Sequence, residues 1–209
     1  MVLRSLLIAK GRSRAVQCSF KRALDISGAV FGLIVFAIPM LVIAVAIKLD
    51  SRGAVFFRQR RVGLDGQFFQ IIKFRTMVPN AESLVGGITT WRGDPRVMRV
   101  GRVLRDWGLD EIPQFFNVLM GQLSLVGPRP TVPSQVQKYT AHQRRRLTVK
   151  PGMTSLPAAV ARNQLPWQEK IELDLQYIDN WSLWLDLKIL CLTAWAVLTT
   201  REGSFKRDF

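Results

Sequence analysis

Cysteine, histidine and acidic residues are all scarce in this 209-residue chain, and each scarcity excludes something. The two cysteines, Cys18 and Cys191, stand far apart without metal-type spacing. A disulfide framework or a cysteine-bound zinc site is therefore not indicated, and a reducing compartment fits. His142 is the only histidine. It sits in the polar, basic stretch Tyr139-Thr-Ala-His-Gln-Arg-Arg-Arg146 and reads as a surface residue, which removes most support for Ser-His-Asp chemistry and for histidine-based metal sites. Asp and Glu number 15 against 30 Lys and Arg, a net charge of +15. Such an excess calls for a polyanionic partner: nucleic acid, anionic lipid or a phosphorylated substrate.

The longest absence is of charge. From Ile26 to Ile47 the chain reads ISGAVFGLIVFAIPMLVIAVAI, 22 residues without one ionisable side chain. That exceeds the roughly 18 residues of a membrane-helix candidate. It is also too long for a signal peptide and is followed by no small-residue cleavage site. Both flanks are basic: Lys10, Arg12, Arg14, Lys21 and Arg22 before, Lys48, Arg52, Arg58, Arg60 and Arg61 after. The positive-inside rule then places both flanks on the cytoplasmic side, which a single span cannot satisfy. Pro39 lies inside the run, where it removes a backbone bond and bends a helix. The pattern favours a helix that enters the bilayer, kinks at Pro39 and returns, over a single span with a tolerated proline. A second apolar stretch, 181–198, is interrupted by Asp186 and Lys188, which makes spanning costly. Its tryptophans, Trp181, Trp184 and Trp195, suit an interfacial helix, and a buried core helix is the alternative.

Between these stretches, Ala54–Gly63 and Gln67–Met77 are aromatic and β-branched, separated by Leu64-Asp65-Gly66. That spacing predicts a β-hairpin. Gly86-Gly87 and Gly93-Asp94-Pro95 mark loops. Arg96–Arg105 predicts an amphipathic helix, with Val97, Val100, Val103 and Leu104 on one side and Arg96, Arg99, Arg102 and Arg105 largely on the other. A last helical region is predicted from about Trp167 to Leu198. No repeat or flexible linker divides the chain. The expectation is one α+β, mostly helical domain: a basic segment over 1–20, the membrane helix over 21–50, and a membrane-associated part over 51–209.

With acids so few, the adjacent pair Asp110-Glu111 stands out. Pro113 suits the first turn of a helix and would place both carboxylates near a helix N-terminus. Helix-start carboxylates are commonly only caps, but an ionised one can attack phosphorus or hold magnesium through oxygen. Arg105 precedes the pair by five residues, and Arg129 follows between two prolines. Arginine forks phosphate oxygens, and a rigid turn lowers the ordering cost.

The blocks Lys21-Arg22-xx-Asp25, Ile47-Lys-Leu-Asp50, Val55-Phe-Phe-Arg-Gln59, Lys73-Phe-Arg-Thr-Met77 and Leu109-Asp-Glu-Ile-Pro-Gln114 occur in this order. Asn117-Val-Leu, Ser124-Leu-Val-Gly-Pro-Arg-Pro130, Lys150-Pro-Gly152 and Trp181-Ser-Leu-Trp-Leu-Asp-Leu-Lys188 follow. Together they make residues 21–200 resemble the monotopic polyprenyl-phosphate phosphoglycosyl transferases, in their minimal catalytic form. The resemblance implies a re-entrant, proline-kinked helix and a catalytic domain on the cytoplasmic face of the bacterial inner membrane. It implies a UDP-sugar donor, a polyprenyl phosphate acceptor and magnesium. Asp110 would be the nucleophile, and Glu111 would assist with metal placement or proton handling, the two carboxylates being the metal ligands. Arg105 and Arg129, and more weakly Lys73 and Arg75, would contact phosphate. Anionic lipids would be partners and nucleic acid would not; the oligomeric state is left open, a homodimer included. Two blocks depart from the family pattern. Ile38 precedes the kink proline where serine is common, and Lys150-PGMTSLPAAV-160 lacks the tryptophan and glutamine of KPGITGLWQV, in a region expected to affect substrate choice. A basic nucleic-acid binder and an anionic-lipid scaffold are the competing readings.

Overall fold

The computed structural model describes residues 2–84, 91, 93–161 and 165–199, with side chains from residue 17 onward except at 82, 161 and 197–199. The Gly86-Gly87 loop and the side chains of Lys10, Arg12, Arg14 and Leu198 lie outside what is described. The chain is mostly helical, with one small antiparallel hairpin.

The uncharged run forms two helices, α1 (Val2–Val35) and α2 (Ala37–Asp50), bent by 60° at Phe36. The bend lies just before Pro39, as proline chemistry requires. A ring at 39 clashes with the carbonyl four residues earlier and donates no bond to it, whereas the first turn of a new helix tolerates both. No single helix among the described residues is long and apolar enough to cross a membrane, but this bent pair passes together. Its outer surface is apolar and exposed at Phe31, Ile34, Ile38, Leu41 and Leu49. Its inner surface docks through the polar ends of the run. Arg22 donates to the carbonyls of Val118 and Leu119, and Asp25 accepts from Ser124 Oγ and the Leu125 amide. At the far end, Asp50 Oδ2 accepts from the Val100 amide at 3.0 Å and so caps α3 (Arg99–Trp107) from outside that helix.

The hairpin pairs β1 (Phe56–Val62) with β2 (Phe68–Phe74). Asp65 and Gly66 both take positive φ, 53° and 77°, and Gln67 N–H bonds Leu64 O, the turn that an Asp-Gly pair favours. After α3, a 3-10 turn at Leu109–Glu111 leads into the short α4 (Gln114–Leu119). Then come β3 (Ser124–Val126), α5 (Pro133–Val136), α6 (Ala141–Arg144), β4 (Gly152–Thr154), α7 (Leu156–Ala161), α8 (Trp167–Asp179) and α9 (Leu183–Thr199). Strands β3 and β4 run parallel. This pairing was not anticipated from the sequence, because three-residue strands carry no readable periodicity. It depends on Gly127 and Gly152: a Cβ on Gly152 would lie 2.1 Å from Gly127 N.

One helix expectation needs correction. The helix predicted over Arg96–Arg105 begins only at Arg99. Arg96 is not on a basic face; it is buried and ion-paired with Asp94 at 2.7 Å, while Val103 is exposed. A buried guanidinium requires a carboxylate, and the loop supplies one two residues away. The helical region predicted from about Trp167 to Leu198 consists of two helices, broken at Asn180–Ser182. On α9, Asp186 turns inward and accepts from Lys21 Nζ (2.6 Å), Tyr177 (2.7 Å) and Trp181 Nε1 (3.1 Å). Trp184 and Trp195 face outward. The charge that argued against spanning therefore tethers α9 to α1, and the helix combines a packed face with an exposed apolar one.

Candidate active site

Asp110 and Glu111 occupy the 3-10 turn between α3 and α4. Gly108, at φ 67°, ends α3 in the left-handed conformation and makes this turn possible. Pro113 follows at the junction with α4 rather than inside a long helix. Asn117 then fixes the hairpin against the turn. Its side chain, wholly buried, accepts from the Ile72 amide at 2.9 Å and donates to Gln70 O at 2.7 Å. This brings Lys73 of β2 to Glu111.

Glu111 lies between two cations. Lys73 Nζ is 2.5 Å and Arg129 Nη2 is 2.7 Å from the same oxygen, Oε1. Burial alone pushes its carboxyl up, but Arg129 and Lys73 outweigh it and hold the group well below the ordinary glutamate range. Asp110 shows the opposite outcome. Burial dominates and raises its carboxyl, Lys73 opposes, and the neighbouring Glu111 adds to the rise. Among the described residues no hydrogen bond reaches the Asp110 carboxylate. The site thus divides the pair into an anchored, permanently ionised glutamate and a half-buried aspartate whose oxygens are available.

Arg129 is supported from behind. Pro130 O accepts from Arg61 Nη1 at 3.0 Å, and Arg129 O accepts from Arg146 Nη2 at 3.1 Å. Arg146 is in turn buried against Asp174 at 2.6 Å. The arginine head itself remains half exposed, open toward a ligand. Arg105, in the last turn of α3, donates from Nε to Thr76 Oγ1 at 2.8 Å, and its charge acts on Asp110. Of the predicted phosphate contacts, Lys73, Arg105 and Arg129 therefore converge on the carboxylates. Arg75 does not: it is buried and donates to Ser51 O and Arg52 O, fastening the end of α2 to the hairpin. It lies just past the end of β2 at Phe74, where the chain meets the end of α2. The cleft before Glu111 is lined also by Arg61, Gln114, Gly152 and Met153. Sequence reasoning missed Arg61 and Gln114 as site residues. The signals were present: Gln114 follows Glu111 by three residues, and Arg61 sits on the same side of β1 as Lys73's partner Phe57.

A magnesium ion asks for oxygen ligands, a few waters and substrate phosphate, and one or two carboxylates suffice. No group of three or more His, Cys, Asp or Glu side chains gathers among the described residues. The donors that fit are Glu111 Oε2, which accepts no hydrogen bond while both cations hold Oε1, and the Asp110 carboxylate beside it.

The profile of the bacterial sugar transferase family matches residues 16–200. The chain belongs to that family. It is thereby an enzyme, a phosphoglycosyl transferase. The transferase is 43% identical to the uncharacterized sugar transferase EpsL of Bacillus subtilis, over 88% of this chain and 89% of that protein. It is 45% identical to the UDP-glucose:undecaprenyl-phosphate glucose-1-phosphate transferase of Klebsiella pneumoniae, over 83% of this chain and 39% of that protein. With the undecaprenyl-phosphate glucose phosphotransferase of Komagataeibacter xylinus it shares 42% identity, over 83% of this chain and 35% of that protein. It thus spans most of one relative and well under half of the other two.

Proposed function

We propose that the transferase moves a sugar 1-phosphate from a UDP-sugar to a polyprenyl phosphate such as undecaprenyl phosphate, on the cytoplasmic face of the bacterial inner membrane, as the first step in building a surface polysaccharide. The observation that carries this reading is the unequal carboxylate pair, with available Asp110 oxygens set beside a Glu111 already neutralised by Lys73 and Arg129. The activities for which the Klebsiella and Komagataeibacter relatives are named support the lipid phosphate acceptor.

In the first half-reaction an Asp110 oxygen attacks the β-phosphorus of the donor. The new bond is Asp110 O–P, the bond from that phosphorus to the α–β bridging oxygen breaks, and UMP leaves with the electron pair. In the second, an oxygen of polyprenyl phosphate attacks the same phosphorus and Asp110 is released as carboxylate. Lys73, Arg105 and Arg129 balance charge on the transferring group, and the rigid backbone of Pro128-Arg129-Pro130 keeps that cation from relaxing away. Bound magnesium, held by Glu111 Oε2 and Asp110 in this proposal, would neutralise phosphate charge. UMP release from a panel of UDP-sugars, with undecaprenyl phosphate and magnesium in lipid nanodiscs, tests the reaction. Silence of well-folded wild-type protein across the panel overturns it.

Because the nucleophile must be ionised and burial raises Asp110, the rate is expected to fall on acidification at a pH above the ordinary aspartate range. Glu111, held low, should contribute nothing to that limb. A pH profile of kcat/KM that stays flat to pH 4 contradicts the assignment.

The bent α1–α2 pair is read as a re-entrant hairpin because both flanks are basic and its outer surface is apolar. Pro39→Ala restores a donor toward Val35 O and is expected to straighten the helix, carrying one flank across the bilayer. Cysteine-accessibility labelling reads this directly. Both flanks still reacting from one side in the variant would show that docking, rather than the proline, sets the topology.

A further inference from the structure

Gln114 lines the cleft together with Lys73, Glu111 and Arg129, yet the residue is only 2% exposed and its Nε2 has no hydrogen-bond partner among the described residues. A buried amide left unpaired destabilises the fold, a cost that an apolar side chain of similar shape would avoid. The residue's position gives that cost a purpose. From Leu109 to Phe116 the backbone bonds run between residues three apart: Ile112 N–H to Leu109 O, Phe115 N–H to Ile112 O and Phe116 N–H to Pro113 O. Gln114 follows Glu111 by three residues, about one turn on, and both side chains line the same cleft. The terminal torsion of glutamine is soft, and turning the amide aims an N–H into the cleft.

We propose that Gln114 is a further substrate-binding residue, its amide N–H donating to a non-bridging oxygen of the phosphoryl group that Asp110 attacks. The inference rests on the transferase reading for the identity of that group, and on geometry alone for its being a phosphate. Lys73 and Arg129 make the cleft cationic, so an anion is the ligand it accepts. Phosphate oxygens only accept hydrogen bonds and therefore match an orphaned donor. Lys73, Arg129 and Arg61 already line the cleft with positive charge, and a further cation would add repulsion without direction. A neutral amide adds direction at no electrostatic cost, and its bond strengthens as charge gathers on the equatorial oxygens in the transition state.

The test uses the full chain in nanodiscs as wild type, Gln114→Met and Gln114→Glu. Methionine keeps the unbranched shape and removes the donor; glutamate replaces it with a like charge. Binding of inorganic pyrophosphate is measured by calorimetry and the melting temperature is followed alongside. The Met variant is expected to bind about tenfold or more weakly, with a melting temperature equal to or above wild type. The Glu variant should bind more weakly still. In turnover the Met variant should lose about 100-fold in kcat with far less change in KM. Unchanged affinity in the Met variant, a lowered melting temperature showing that the amide serves the fold, or a wild type that binds no pyrophosphate each overturn the proposal. If pyrophosphate binding depends on Gln114 while no UDP-sugar yields UMP, the phosphate contact stands and the transferase reading falls.

Discussion

Asp110→Asn is expected to abolish UMP release, by at least about 1,000-fold, while leaving the protein as stable as wild type or more so. The first half follows from chemistry: an amide cannot form the acyl phosphate, and loss of a covalent nucleophile acts on this scale or a larger one. The second half follows from linkage. A carboxyl whose folded-state pKa is raised contributes its stability below its ordinary pKa and loses it as pH rises through the folded value. At neutral pH the ionised Asp110 is therefore a net cost to the fold, set chiefly by its burial and augmented by Glu111. A neutral isostere removes that cost. UMP release and a melting curve at pH 7.5 read both halves. Residual turnover above a hundredth of wild type would displace Asp110 from the nucleophile's role. A melting temperature well below wild type would place it in the fold.

Asp186→Ala is expected to produce the largest loss of stability, about 3–5 kcal/mol, or a fall of about 10 °C in melting temperature. The carboxylate is buried and accepts from Lys21, Tyr177 and Trp181. Removing it takes the carboxylate from a largely buried ammonium and leaves the Trp181 indole without this acceptor, while Tyr177 falls back on Val126 O, and the junction among α1, α8 and α9 is broken. Lys21 retains its bond to Val126 O, which limits the damage. Asp186→Asn keeps an acceptor for Tyr177 and should lose less. A loss under about 1 kcal/mol in the Ala variant would mean that apolar packing around Ile189 carries the junction by itself.

Much of this arrangement was legible in the sequence, for identifiable reasons. The hairpin was, because its Asp-Gly turn needs two positive φ values that few other pairs supply. The apolar run and its break were, because a missing charge and a proline act locally. The Asp110-Glu111 pair was, because acids are rare in a chain of net charge +15. The fate of individual arginines was not. Arg75, Arg96, Arg129 and Arg146 look alike in sequence, yet they hold a helix end, pair within a loop, face the cleft and brace the residue behind it.

By itself the sequence determined whatever rests on neighbours within a few residues: the elements, their turns, the bend and the acidic pair. Tertiary structure alone decided which partners those residues met. The α1 polar triplet Lys21, Arg22 and Asp25 docks on groups 96 to 165 residues away. The approach of β3 to β4, secured by two glycines, sets the frame from which Arg129 reaches Glu111. The inequality of the pair also arose there. Adjacent carboxylates are equivalent in sequence, and they become unequal only when two cations close on one of them and burial prevails at the other.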